Sequence, residues 1–264
     1  MSSPEAHPPE EASFKPTLEA LRKRNSELAE AVAARDTFIA VAAHELRNPM
    51  TPMIGQIDLL LSGVRAGKYA PDQIEQRLER IRQVMSHYIK RAAILLNVSR
   101  ITSGRLALEH GACDLAALVR TVVETYAAAA LHAGSPIEVD APASLSGTWD
   151  RLAMEQIVDN LVSNAIKYGG RGPVRVCAEA LGDTISLQVR DFGPGIAMKD
   201  RSRIFQRFER AVGAEESRSG FGIGLWVVRQ LIEAMKGTIT VDDARGGGSV
   251  FTVILPRHVE ANRP

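Results

Sequence analysis

Apolar residues in the first hundred positions recur at alternating steps of three and four. Leu18, Leu21, Asn25, Leu28, Val32, Arg35, Ile39, Ala42 and Leu46 form one such series. This is a heptad seam with two polar interruptions, and it predicts a long helix. The pattern resumes at Met53 and runs to about Leu60. Ser62–Pro71 carries Gly63, Gly67 and Pro71 and reads as a connecting loop. Ile74, Leu78, Ile81, Met85, Tyr88, Ala92 and Leu95 then repeat the rhythm in a second helix. The two make a helical hairpin that cannot cover both seams alone. A four-helix bundle built from two chains, a homodimer, is the natural completion.

The pattern changes after Gly104–Gly111, which reads as a boundary. Asp114 is placed to cap a helix running to about His132. Ile137–Val139 reads as a short strand and Arg151–Tyr168 as a helix. Val174–Ala180 and Thr184–Arg190 alternate apolar and polar residues around a Gly182-Asp183 turn. Gly222–Lys236 is helical, and Thr238–Val241 and Ser249–Leu255 are strands around Gly246-Gly247-Gly248. The expected class is α+β: a helical hairpin, then a mixed sheet with helices on one face. The expected divisions are a disordered segment over 1–16, a helical domain over 17–108, a second domain over 109–258 and a tail over 259–264.

Composition narrows the classes. Lys and Arg number 32 against 31 Asp and Glu, so no basic excess suggests nucleic-acid binding. The apolar stretches are too short for membrane insertion. Cys113 and Cys177 show no metal spacing and read as reduced thiols of a cytoplasmic protein.

Five short motifs occur in order: FIAVAAHELRNPMTP over Phe38–Pro52, NLVSNAIKY over Asn160–Tyr168, DFGPG over Asp191–Gly195, IFQRFER over Ile204–Arg210 and GFGIGL over Gly220–Leu225. They resemble the phosphoacceptor box, asparagine box, first glycine box, phenylalanine box and second glycine box of two-component sensor histidine kinases. The resemblance covers roughly residues 30 to 256. It implies a dimerisation and phosphoacceptor domain, followed by an α/β-sandwich ATP-binding domain of the histidine-kinase and gyrase type.

His44 is the phosphoacceptor that this resemblance implies. At about 100° per residue it lies roughly 200° around the helix from Ala42 and Leu46, so it faces away from the seam. Glu45 is implied to accept a proton from the imidazole, leaving the other ring nitrogen nucleophilic. Pro49 and Pro52 remove backbone donors just beyond, which loosens or bends the helix. Asn48 shares a helix face with His44. By resemblance it serves the reverse activity, dephosphorylation of a response regulator.

For the nucleotide, Asn160 and Asn164 stand on one helix face. The resemblance implies Asn164 as a Mg²⁺ ligand, Asn160 as support for metal and phosphates, Lys167 as a phosphate contact and Tyr168 as a wall against adenine. Asp191 is implied to accept from the adenine 6-amino group, with Gly193 and Gly195 allowing close approach. Gly220, Gly222, Gly224 and Leu225 form the phosphate-facing start of a helix. Glycines inside a helix cost roughly 0.5–1 kcal/mol each, which suggests that something must approach the backbone there. Ala211–Ser219 reads as a lid anchored by Phe205 and Phe208. Arg207 and Arg210 read either as phosphate contacts or as solvated side chains.

The expected function is autophosphorylation of His44 from ATP with Mg²⁺, then transfer to an aspartate of a response-regulator receiver domain. Input is expected from a separate sensor protein or through the N-terminal coiled coil. Two rivals stand beside it. A gyrase-type ATPase needs a glutamate base where this chain has Asn160, and an amide is no base. A catalytically silent dimeric adaptor should show damaged motifs, and these are intact.

Overall fold

The computed structural model describes residues 20–26, 29, 32, 39, 43, 50–102, 106–209 and 222–258. The chain divides into two units, Met1–Ala92 and Ala93–Pro264.

In the first unit, helix α1 is described over 50–65 and helix α2 begins; α2 spans Pro71–Thr102, so its last turns belong to the second unit. The expected loop over Ser62–Pro71 is therefore shorter: 62–65 are helical, and Pro71 is the first residue of α2. Proline suits that place, because its missing N–H has no helical partner there anyway. Gly63 did not break the helix. A Cβ on it would collide with the Tyr69 ring, which folds back over the glycine under the Arg77 guanidinium at 4.3 Å. The α2 helix also continues past the expected end near Leu95.

The heptad positions sort into two faces. Leu60 and Ile81 are buried, and Met53, Ile74, Val84 and Tyr88 are half-buried. Ile54, Ile57, Leu61 and Val64 step by three, four and three along α1 and stay exposed, as do Leu78, Met85 and Ile89 on α2. The seam expected on α2 is thus split. One side is covered within the hairpin, and the other is left open.

The second unit holds a five-stranded sheet in the order β2-β4-β5-β7-β6. Its strands are β2 (Ile137–Asp140), β4 (Val174–Leu181), β5 (Thr184–Arg190), β6 (Thr238–Asp243) and β7 (Ser249–Pro256). β2 pairs parallel with β4, and the other pairings are antiparallel, so the sheet is mixed as expected. Alternate residues on one face are buried: Val174, Val176 and Ala178, then Ile185, Leu187 and Val189, then Phe251, Val253 and Leu255. Three helices cover that face, α3 (Leu115–His132), α4 (Arg151–Tyr168) and α5 (Gly224–Ala234).

Asp114 caps α3 as expected, accepting from Ala116 N and Ala117 N, and it also accepts from Leu145 N at 3.0 Å. These bonds, first the one from Leu145 and then one from the Ser144 side chain, hold its carboxyl down at about 2.

A two-stranded sheet, β1 (His110–Asp114) with β3 (Ser146–Asp150), was not expected. Gly111 and Gly147 interrupt any alternation of apolar residues there. What holds it is Trp149, fully buried, its ring lying across Gly147 and its indole N–H donating to Pro256 O at 2.7 Å.

No helix among the described residues is long and apolar enough to cross a membrane.

Candidate functional site

The α4 helix starts where Asp150 leaves β3 and accepts from Ala153 N. Its inner side carries Met154, Ile157, Val158, Leu161, Val162 and Ala165, all buried. This packing fixes the helix rotation, so Asn160 and Asn164 are turned to the same side, one turn apart. Asn160 is buried, and its Nδ2 donates to Gln156 O at 2.8 Å. That bond commits the amide and leaves Oδ1 facing away from its own helix. Asn164 is half-buried, and its amide makes no hydrogen bond among the described residues. Lys167 and Tyr168 end the helix, with the ammonium 5.0 Å from the tyrosine ring centroid.

Oδ1 of Asn160 faces the start of α5. A Cβ on Gly224 would lie 2.6 Å from it. The α5 helix has no side-chain cap, so its first N–H groups are not taken up by a capping side chain. Leu225 is half-buried in its first turn. Gly222, at φ +63, lies before the helix, where a Cβ would come within 2.7 Å of Glu209 O. The helix expected over Gly222–Lys236 therefore begins two residues later. The cost of glycines in a helix interior does not arise here; close contact and positive φ require these glycines instead.

A third loop closes the other end of α4. Asp191 follows β5 and is 7% exposed. Its Oδ1 accepts from Gly193 N at 2.9 Å and Ser249 N at 3.1 Å. Its Oδ2 carries no hydrogen bond among the described residues. Gly193 packs on the Tyr168 carbonyl, and a Cβ on Gly169 would lie 2.7 Å from Asp191 Cβ. Gly195, at φ +75, turns the chain near the Gly248 carbonyl, 3.5 Å from where its Cβ would stand.

Thus Asn160, Asn164, Lys167, Tyr168, Asp191, Gly193, Gly195, Gly222, Gly224 and Leu225 gather around α4. His44, Glu45, Asn48 and Gly220 lie outside the described residues, as do Pro49, Arg210 and the expected lid. Phe205 is buried edge-on against Phe251, with ring centroids 6.4 Å apart. Phe208 is half-buried at φ +63. The Arg207 guanidinium rests over the Trp226 ring at 4.3 Å.

Reading motifs missed Gly248 and Ser249. Gly248, at φ +89, sits against the Asp191 carbonyl with no room for a side chain. Ser249, 3% exposed, supplies the N–H to Asp191. For Gly248 a signal was present. A hairpin turn does not require three successive glycines, and all three here have positive φ.

A family model described as the His Kinase A (phospho-acceptor) domain matches residues 34–104. A second, described as histidine kinase-, DNA gyrase B- and HSP90-like ATPase, matches residues 149–259. Sensor histidine kinase RcsC of Escherichia coli is 31% identical over 243 residues, covering 90% of this chain and 25% of its own length. Histidine protein kinase DivJ of Caulobacter vibrioides is 33% identical over 233 residues, covering 86% of this chain and 38% of its own length. The chain thus spans well under half of either relative. Among solved structures, histidine kinase AdeS of Acinetobacter baumannii matches with TM-score 0.57 and 28% identity, over 81% of this chain and 98% of that one. Full-length ShkA in complex with AMPPNP matches with TM-score 0.56 and 26% identity, over 84% of this chain and 45% of that one.

Proposed function

The chain belongs to the two-component sensor histidine kinases, and we propose that it phosphorylates His44 from ATP and passes the phosphoryl group to an aspartate of a response-regulator receiver domain. One observation carries the nucleotide part of this reading. The 191–195 loop packs on the C-terminal end of α4 and the start of α5 packs on Asn160, and Cβ atoms on Gly169, Gly193 and Gly224 would collide there. Such spacing suits a ligand whose phosphates meet main-chain N–H groups at the α5 N-terminus. The nucleotide analogue in the ShkA complex supports the same reading.

In the proposed reaction Glu45 takes the proton from one ring nitrogen of His44, and the other attacks the γ-phosphorus. An N–P bond forms, the bond to the bridging oxygen breaks, and ADP leaves. Asp191 holds the adenine amino group. Lys167 and the first turn of α5 hold the phosphates. Mg²⁺ fits the donor set, because Asn164 presents an amide that makes no hydrogen bond among the described residues, beside Asn160 Oδ1. When bound it would offset charge on the phosphate oxygens.

Transfer is favoured over hydrolysis by what lies beside Asn160. The adjacent acid, Asp159, accepts from the Tyr126 hydroxyl on α3 at 2.9 Å. That bond turns its carboxylate toward α3. Burial first, and then the Asp159 charge, push the Tyr126 hydroxyl up, so it stays a donor.

The open seam of the hairpin supports a homodimer, and the two free thiols, Cys113 and Cys177, suit the cytoplasm. The reading is tested with Asn164→Ala. Mg²⁺-dependent label incorporation from γ-labelled ATP should fall at least about 100-fold, roughly 2.7 kcal/mol of barrier, with the dimer intact. An unchanged rate would remove Asn164 from the site. Asn48→Ala should leave autophosphorylation near wild type and slow dephosphorylation of the receiver at least about tenfold. Equal loss of both would indicate a disturbed helix instead.

A further inference from the structure

Phe208 stands in the left-handed region, at φ +63. For a bulky side chain that is an outlier, and it persists only where the surroundings over-determine it. Both neighbours are tied down. Before it, the Arg207 guanidinium lies over the Trp226 ring, 4.3 Å from the centroid, and Trp226 is buried in the first turn of α5. After it, the Glu209 carboxylate accepts from Arg203 at 2.7 Å, and Arg203 also donates at 3.1 Å to the buried Asp200. Between these two ties the kink turns the main chain onto Gly222. A Cβ there would lie 2.7 Å from Glu209 O and 2.9 Å from the Phe208 carbonyl carbon. Gly222 leads directly into Ile223, which is buried at the N-cap position of α5.

The arginines of this segment differ in what they reach. Arg201 pairs with Asp242 and Asp243 on β6, and Arg203 pairs within the segment itself. Arg207 reaches α5, where its planar cation lies on the face of an indole. That is neither of the roles the motif left open, phosphate contact or solvated charge. We infer that Arg207 and Trp226 are positioning residues: their stack clasps the strained kink at Phe208 onto the first turn of α5, and so holds the N-terminus of that helix in place for a triphosphate. This rests on the reading of α5 as the phosphate site. The clasp touches no ligand and acts by preorganisation. Without it the kink relaxes toward ordinary backbone and Glu209 withdraws from Gly222. The first turn of α5 must then be ordered when nucleotide binds, which lowers affinity.

The test is calorimetric titration of the full chain with ATP and Mg²⁺, joined to amide hydrogen exchange of the nucleotide-free protein. Arg207→Met keeps an unbranched side chain and removes the cation. It should weaken ATP about fivefold. It should also speed exchange at least about threefold at the Val227 N–H, which donates to Ile223 O at 2.9 Å at the start of α5. Arg207→Lys and Trp226→Phe each keep a cation over a ring, so ATP affinity should stay within about twofold of wild type. Trp226→Leu should weaken ATP at least as much as Arg207→Met. Adding Arg207→Met to Trp226→Leu should cause no further loss, because the arginine then has no ring to hold.

Full additivity of the two losses would overturn the clasp. So would a loss in Arg207→Met that Trp226→Leu does not share, which would make Arg207 a direct phosphate contact. Should Trp226→Leu fail to fold, unchanged Val227 exchange in Arg207→Met overturns it without that variant. Unchanged ATP affinity in Arg207→Met would remove the clasp from nucleotide binding and leave the phosphate site standing. A wild-type chain that does not bind ATP would remove the phosphate site itself, and the clasp with it.

Discussion

The two units solve the problem of burial differently. In the α/β unit nearly every large apolar side chain on the helix-facing side of the sheet is covered, and Trp149, Ile185, Leu187, Val253 and Leu255 are fully buried. In the helical unit, Ile54 is 56%, Leu78 53% and Ile89 62% exposed. A sheet with three helices on one face closes its own core. A hairpin of two helices has two apolar faces each and can close one. The described part of the first unit thus leaves an apolar face uncovered, whereas the second covers its own core. Association and nucleotide binding should therefore be separable by mutation.

The largest effect is expected in the closed core. Trp149→Ala removes a fully buried ring and its bond to Pro256 O, and should cost about 3–5 kcal/mol. Since a domain has only about 5–15 kcal/mol in hand, denaturant unfolding should show the midpoint of the α/β unit shifted well toward lower denaturant. Next comes the open seam. Leu61→Glu with Met85→Glu should raise the dimer dissociation constant at least about 100-fold, roughly 2.7 kcal/mol, by sedimentation. The melting of the α/β unit should not move. Unchanged association would mean that this face is not where two chains meet.

A smaller effect belongs to Gly222. Gly222→Ala would place a Cβ within 2.7 Å of Glu209 O at φ +63. The left-handed backbone alone costs roughly 1–2 kcal/mol, so ATP affinity should drop about tenfold with the dimer untouched. The smallest is Asp114→Asn. The folded carboxyl is depressed to about 2, below an unfolded value of about 3.9. Its charge therefore stabilises the unit above pH ~4, and that advantage is lost as pH falls toward ~2. The difference in melting temperature between wild type and Asp114→Asn should be largest near pH 6 and much smaller at pH 2.

The contrast between the units also explains what the sequence disclosed. Strands β4, β5 and β7 alternate because one face is buried and the other is not, and that alternation is visible in the letters. The motif glycines around α4 were legible as glycines. Their reason was not, since Gly222 and Gly224 answer to Glu209 and Asn160, which are distant in sequence. Strands β1 and β3 were hidden because a single tryptophan over a glycine replaces a periodic pattern. The hairpin seams were legible as one stripe. Division into a covered and an open face depends on how α1 and α2 lean together, and periodicity alone does not carry that. Ser249 was unreadable because its main chain, and not its side chain, meets Asp191.

In the proposed function the second unit holds ATP and His44 of the first accepts the phosphoryl group. The direct measurement is incubation of wild type and His44→Ala with γ-labelled ATP and Mg²⁺, followed by acid and base treatment, with ATP affinity measured in parallel. Wild type should carry a label that survives base and is lost in acid. His44→Ala should carry no label and bind ATP within about twofold of wild type. Acid-labile label persisting on His44→Ala would contradict it, and would direct the search for the acceptor to His87, His110 and His132.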